Sequence, residues 1–196
     1  MTGLRAFVLA IGLTAVAAVG AADDKPAELK VGDPAPAFVL PDDRGRPWDS
    51  ADHFGKKWVV VYFYPGDFTP GCTAQANAFR DAMNKLTELG VEVVGVSGDS
   101  VRTHELFRKA QKLNFTLLSD EDGAVAKRFG VPFGPGGKAR AKDADGKVVE
   151  IERAGTAARW TFIIGRDGKV AYKNTKVNPA ADAKAITEFV SGAKEK

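Results

Sequence analysis

The sequence predicts an α/β domain with a mixed, mostly parallel central sheet flanked by helices. Three observations predict it. Apolar runs rich in Val and aromatics, at Trp58–Tyr64, Val91–Val96 and Phe115–Leu118, have the length and composition of buried strands. Each is followed by a segment whose apolar residues recur at helical spacing, and strands alternating with helices in this way build parallel sheets with helices on the faces. Lastly, Arg159–Ile164 and Val170–Tyr172, joined through Asp167-Gly168, read as a hairpin that adds an antiparallel edge.

The chain has 196 residues, 44% hydrophobic and 27% charged, enough for one domain to bury its own core. A formal charge of +3, with no Lys/Arg block interleaved with aromatics, argues against nucleic acid as a partner. Residues 1–22 stand apart. Arg5 precedes the uncharged stretch Ala6–Ala22, which closes on the small residues Ala18, Gly20 and Ala22 before Asp23-Asp24-Lys25-Pro26. That order is the pattern of a secretory signal peptide, with cleavage expected after Gly20 or Ala22. The alternative is an uncleaved anchor, although an apolar run of about 17 residues is at the low edge of a bilayer span. No cysteine stands at the cleavage point, as a lipoprotein anchor would require. The expected product is an exported, periplasmic domain of residues 23–196.

Within that domain, Phe38–Leu40, the turn Asp42–Gly45 and Arg46–Trp48 predict a short N-terminal edge hairpin, since its prolines bar it from a central place in a sheet. Trp58–Tyr64 is the central strand. Phe79, Met83 and Leu86 then mark a helix from Cys72 to Leu89, stopped by Gly90. Leu106, Phe107, Ala110 and Leu113 mark a second helix. Ser119–Asp122 offers capping groups to a short third helix carrying Val125 and Phe129. Val131–Gly137 reads as a loop, and the polar stretch Lys138–Arg153 as a surface hairpin turning at Asp145-Gly146. Asn178-Pro179 predicts the N-cap and first residue of a last helix whose apolar face is Ile186, Phe189 and Val190.

The chemistry concentrates where the central strand stops. Pro65, Gly66, Pro70 and Gly71 turn the chain and deliver Cys72, its only cysteine, to a helix N-terminus. Free backbone N–H groups and the positive end of the helix dipole favour an anion there, and the thiolate is the reactive form of cysteine. A single cysteine excludes an internal disulfide, a Cys-x-x-Cys redox pair and a Cys-rich metal site. Free cysteine is often an inert buried hydrophobe, but the turn chemistry before Cys72 points the other way. Thr69, one turn earlier, offers a hydroxyl able to hydrogen-bond both the sulfur and a substrate, and Pro65 can shield the thiol from water.

Pro65, Thr69 and Cys72 match the Pro-x-x-x-Thr-x-x-Cys signature of peroxiredoxins. The run YFYPGDFTPGCTAQANAFRD, with LNFTLLSDEDGAVAKRFGV at 113–131 and RWTFIIGRDGKV at 159–170, resembles the bacterioferritin comigratory protein, or Q-type, subfamily across most of residues 31–190. The resemblance implies a thioredoxin-like fold and reduction of hydrogen peroxide and organic hydroperoxides, with no metal, haem or flavin. It implies Cys72 as the attacking nucleophile, Thr69 as the group orienting the peroxide, Pro65 as the shield and Arg159 as the cation returning from a distant strand. The N–H groups of Gly71 and Cys72 would stabilise charge on the departing oxygen. Many members of the subfamily carry a second, resolving cysteine five residues on, where this chain has Asn77. The likeness is therefore to a 1-Cys variant, recycled by an external thiol (thioredoxin-like, glutaredoxin-like or small) or by Cys72 of a second copy, in a monomer or weak homodimer. The polar segment 133–158 is longer than the subfamily leads one to expect.

The remaining candidates read mainly as structure. His53 and His104 have no close spacing to Cys72 and make no metal site with it. Asp81 and Asp120–Asp122 read as caps and solvated faces, and Trp48, Trp58 and Trp160 as core or pocket wall. Gly134–Gly137 lacks the ending of a phosphate loop. Gln75 and Arg80, following Cys72 on its helix, are candidates to support it. Two further functions stay open: a non-catalytic thioredoxin-like binding module, and a thiol–disulfide oxidoreductase, which Thr69 in place of a first cysteine disfavours.

Overall fold

The structure, a computed structural model, describes residues 29–194; the expected signal segment 1–22 lies outside them. Five strands form the central sheet in the order β5-β4-β3-β8-β9. β3 (Trp58–Phe63) is at its middle, between β4 (Val91–Ser97), parallel to it, and β8 (Trp160–Ile164), antiparallel. β5 (Thr116–Ser119) extends the parallel half and β9 (Val170–Asn174) the antiparallel half. The sheet is mixed, as expected, but half of its pairings are antiparallel. The reason is the connection: β8 is reached through a β-ribbon, not a crossover helix, and only crossovers impose parallel neighbours.

β3 is buried on both faces, so alternate residues serve two cores. Val59, Val61 and Phe63 pack with Phe38, Trp48, Phe129 and Phe162. Val60, Tyr62 and Tyr64 face Cys72, Phe79 and Leu86 of α1 (Pro70–Glu88), Phe107 of α2 (Val101–Gln111) and Ile186 and Val190 of α4 (Asp182–Lys194). The first core lies under α3 (Ala124–Arg128) and the N-terminal hairpin β1–β2 (Val39–Pro41, Pro47–Asp49). That hairpin is a separate two-stranded sheet, tied to the edge strand β5 by one bridge between Asp42 and Leu118.

Two expectations shift. The segment 131–137 is not all loop. β6 (Phe133–Lys142) begins inside it and pairs with β7 (Val148–Ala157), giving a ribbon of two ten-residue strands longer than the polar pattern marked. Glycine and proline hid the strand, because both are depleted in sheets. The last helix starts at Asp182, after a turn in which the Asn178 side chain accepts from the Ala180 N–H at 3.2 Å. Asn178-Pro179 therefore caps a turn rather than the helix.

Phe129 joins the hairpin, β3 and β8, with ring centroids 5.9 Å from Phe38, 5.3 Å from Phe63 and 5.2 Å from Phe162. Phe129→Ala is expected to cost about 3–5 kcal/mol of unfolding free energy, because that cavity cannot collapse without moving the sheet; urea titration measures it.

Candidate active site

The chain leaves β3 at Phe63 and turns through 64–69 into α1. Thr69 is the N-cap and Pro70 opens the helix, where its missing N–H costs nothing. Cys72 is thus the third helical residue, 1% exposed, at the carboxyl end of the central strand. Neither Gly71 nor Cys72 has an acceptor for its N–H within the helix, so the first turn presents donors and a positive dipole end beside the sulfur.

Arg159 arrives from the other direction. β8 pairs Trp160 with Phe63, the last residue of β3, so Arg159 comes in just past the end of that strand. Its Nη2 donates to the Cys72 Sγ at 3.1 Å. The contact sets a fixed positive charge directly against the sulfur. A Cβ on Gly71 would lie 3.3 Å from the same Nη2, so the close approach of helix and guanidinium uses a glycine.

The guanidinium is itself held. Arg159 Nη1 donates to Gln75 Oε1, and the Gln75 amide donates to Asp182 Oδ2 at 2.7 Å. Thr161, two residues along β8 and so on the same face, donates its hydroxyl to the same oxygen at 2.7 Å. A carboxylate accepts and cannot donate when ionised. Asp182 therefore turns the Gln75 amide so that its oxygen is left for Arg159. Burial raises the Asp182 carboxyl above its ordinary range, against the lowering effect of Thr161, Gln75 and Arg159.

A second buried network lies under the turn. Asp67, fully buried, accepts from Tyr64 Oη at 2.8 Å and from His104 Nδ1 at 2.8 Å. Its backbone N–H donates to Asp99 Oδ2 at 2.8 Å. His104 Nε2 lies 3.2 Å from the Leu118 carbonyl oxygen, which can only accept. Acceptors face both ring nitrogens, an arrangement that favours the imidazolium over the neutral ring. Burial alone would lower its pKa. The Asp67 carboxylate, its hydrogen bond and then Asp99 outweigh that and raise it. Asp99 is raised by burial and by Asp67, against His104 and Arg153. Phe68, between Asp67 and Thr69, has φ 60°, a left-handed conformation that a non-glycine residue keeps only when its neighbours fix it.

The expected residues therefore divide. Cys72, Arg159 and Gly71 come together, and Gln75 supports them. Thr69 stands at the N-cap, but its hydroxyl donates to the Gly66 carbonyl at 3.0 Å rather than to the sulfur. Pro65 is half-buried in an open apolar groove with Pro132, Phe133, Thr156, Ala157 and Ala158. Arg80 is not at the sulfur; its Nη1 bonds Asn77 Oδ1 at 3.0 Å and the Gln111 carbonyl at 2.7 Å, clamping α1 to the end of α2. His53 binds Glu92 at 2.8 Å and stacks on Trp48. Among the described residues no group of three His, Cys, Asp or Glu could hold a metal ion, and no helix is long and apolar enough to cross a membrane. Sequence reasoning missed Asp182, Thr161, Asp67, Asp99 and Arg153; the only signal was that Asp67 and Thr161 fall inside two of the three resembling stretches.

The sequence matches the profile of the AhpC/TSA family over residues 31–173. A chloroplastic peroxiredoxin Q of Sedum lineare is 51% identical over 127 residues, covering 62% of this chain and 68% of that one. Against a peroxiredoxin Q of Oryza sativa subsp. japonica the match spans only 59% of the relative's length. A putative peroxiredoxin bcp of Coxiella burnetii is 48% identical over 144 residues, 73% of this chain and 86% of that one. Among solved structures, peroxidoxin BcpB of Mycobacterium tuberculosis superposes with a TM-score of 0.69 at 32% identity, covering 84% of this chain and 97% of that one. The bacterioferritin comigratory protein of Xanthomonas campestris, whose structure was solved to address alkyl peroxide reduction, superposes with a TM-score of 0.67 at 29% identity, covering 84% and 99%.

The raised His104 gives a signed pH dependence. A group whose folded pKa exceeds its ordinary value, here 6.5, stabilises fully below that value, and the contribution is lost as pH rises through the folded pKa. Unfolding free energy measured by urea titration is expected to fall as pH rises above 6.5 in the unsubstituted protein. It should fall less steeply in His104→Asn. Equal slopes would remove the imidazolium.

Proposed function

The chain belongs to the AhpC/TSA family, an enzyme of the peroxiredoxin kind, and from that premise we propose that it is a thiol peroxidase working through Cys72. The observation that carries the reading is the Arg159–Cys72 contact of 3.1 Å at the start of α1. The Cys72 thiolate attacks one oxygen of the peroxide. The S–O bond forms as the O–O bond breaks, the departing oxygen takes a proton to leave as water or alcohol, and the sulfur becomes a sulfenic acid. Arg159 stabilises the thiolate beforehand, and with the N–H groups of Gly71 and Cys72 it stabilises negative charge on the departing oxygen. Thr69, bonded to the Gly66 carbonyl at rest, turns its hydroxyl to the peroxide on binding, and Pro65 keeps bulk water from the sulfur.

Hydrogen peroxide and organic hydroperoxides are the proposed substrates. The apolar groove beside Pro65 supports the second class, since it suits an alkyl tail. The sulfenic acid condenses with an external thiol, releasing water, and a second thiol restores Cys72 and leaves as disulfide. Asn77 supports this dependence: it stands where many members of the subfamily carry a resolving cysteine, and the sequence holds no cysteine besides Cys72. The reductant is a thioredoxin-like or glutaredoxin-like protein or a small thiol, and the working unit a monomer or weak homodimer.

Reduced protein exposed to hydrogen peroxide in the presence of dimedone is expected to gain one adduct, at Cys72, by mass spectrometry. A Cys72 that stays a free thiol at peroxide levels which oxidise other peroxiredoxins returns the chain to a binding module. Arg159→Ala is expected to slow iodoacetamide alkylation of Cys72 at neutral pH by tenfold or more; an unchanged rate takes Arg159 out of the site.

The leader-like residues 1–22 support export to the periplasm. The mature N-terminus, read by mass spectrometry, is expected at residue 21 or 23, and an intact Met1 would replace export by anchoring.

A further inference from the structure

The paired ends of β6 and β7 line the groove beside Pro65, but the peroxidase reading leaves the rest of this long polar ribbon without a role. Its outer part is exposed, but its root is packed against the loop that carries the cysteine. Ala154 N–H donates to the Gly98 carbonyl at 2.9 Å. A Cβ on Gly98 would overlap the Gly155 carbonyl oxygen, so backbone meets backbone at this seam. Beside it Arg153 leaves the ribbon and enters the protein. Nε donates to Asp99 Oδ1 at 3.0 Å, and Nη2 donates to the Asp67 carbonyl at 2.9 Å. Any Cβ on Gly66 would overlap the same guanidinium, so Gly66 vacates the space that Arg153 fills.

These contacts fall on the segment that sets the sulfur. Arg153 holds the Gly66–Asp67 backbone. The Gly66 carbonyl accepts from Thr69 Oγ1 at 3.0 Å, and Thr69 is the N-cap of the helix that carries Cys72. Phe68, left-handed, lies between. On the far side Asp99 Oδ2 takes the Asp67 N–H, so Asp99 and Arg153 grip one residue at its two backbone ends. Asp99 is fully buried, and Arg153 is the cation opposite it.

We propose that Arg153 is a positioning residue for the reaction of Cys72, and that the inserted ribbon serves to deliver it: the ribbon clamps the Pro65–Thr69 turn in the geometry that presents the sulfur. The proposal rests on the peroxidase reading only for its peroxide arm. The grip on the turn acts on any reagent that approaches Cys72.

The test uses the full domain with Arg153→Met, Arg153→Met/Asp99→Asn and Arg153→Lys. Second-order rate constants of Cys72 are measured with hydrogen peroxide and, separately, with iodoacetamide, beside thermal unfolding. Arg153→Met is expected to lose tenfold or more with both reagents and to lower Tm, because it removes the cation bonded to the buried Asp99 carboxylate. The double variant removes that charge and is expected to regain Tm while its rate constants stay low, a split that a purely structural role would not produce. Arg153→Lys, reaching one partner but not both, is expected to fall between the unsubstituted protein and Arg153→Met. Rate constants of Arg153→Met within twofold of the unsubstituted protein would overturn the proposal, as would rates in the double variant that recover together with Tm. Should Arg153→Met not fold, the double variant alone decides. An unsubstituted protein inert to peroxide sinks the peroxidase reading and leaves the iodoacetamide comparison to judge Arg153.

Discussion

The antiparallel pairing of β8 with β3 is the constraint on which the site depends. Phe63 ends β3 and faces Trp160, which begins β8. The chain leaving β3 turns into α1 with Cys72; the chain entering β8 has just passed Arg159. Two segments 87 residues apart in sequence are thus brought to one end of the sheet, and their functional groups meet at 3.1 Å. A shift of one residue in this register would turn Arg159 to the opposite face, because side chains alternate along a strand. The register is held by burial on both faces: Val59, Val61 and Phe63 fill one core, Val60 and Tyr62 the other.

Around this pair the protein builds two different supports. Asp182, Gln75 and Thr161 fix the guanidinium from the side of α1 and α4, through short bonds among groups that are mostly neutral in pairing. Asp67, His104, Asp99 and Arg153 fix the turn before the helix, through buried charges of both signs. The two differ in what they tolerate. Removing one partner from the first leaves a polar group without its bond. Removing one from the second leaves a charge without its partner in a dry interior, which costs more.

The strands, the helices and the cysteine's place among them were legible because they are written locally. An apolar run, a Gly/Pro turn and a helical period all lie within Trp58–Leu89. Arg159 was legible only through resemblance, since no spacing rule links it to Cys72. The supports were not legible. Asp182 reads as an ordinary residue at the start of a helix, and Arg153 as one more charge in a polar ribbon. Their roles come from tertiary approach: α4 returning to the sheet, and Gly66 leaving room for a side chain 87 residues further on. The direction of the Thr69 hydroxyl was hidden for the same reason, because the competing Gly66 carbonyl is placed by the turn. The ribbon's length escaped because glycine and proline mask a strand whose cohesion is its backbone pairing.

Cys72 is 1% exposed. A disulfide requires the two Cα atoms within about 7 Å of each other. Two copies of this chain would have to bring two buried sulfurs together, a tighter geometric demand than one buried sulfur makes on a small molecule. A small thiol needs far less. Burial of the sulfur therefore acts as a sieve on whatever approaches it: a small reagent is asked for less rearrangement than a second copy of the chain.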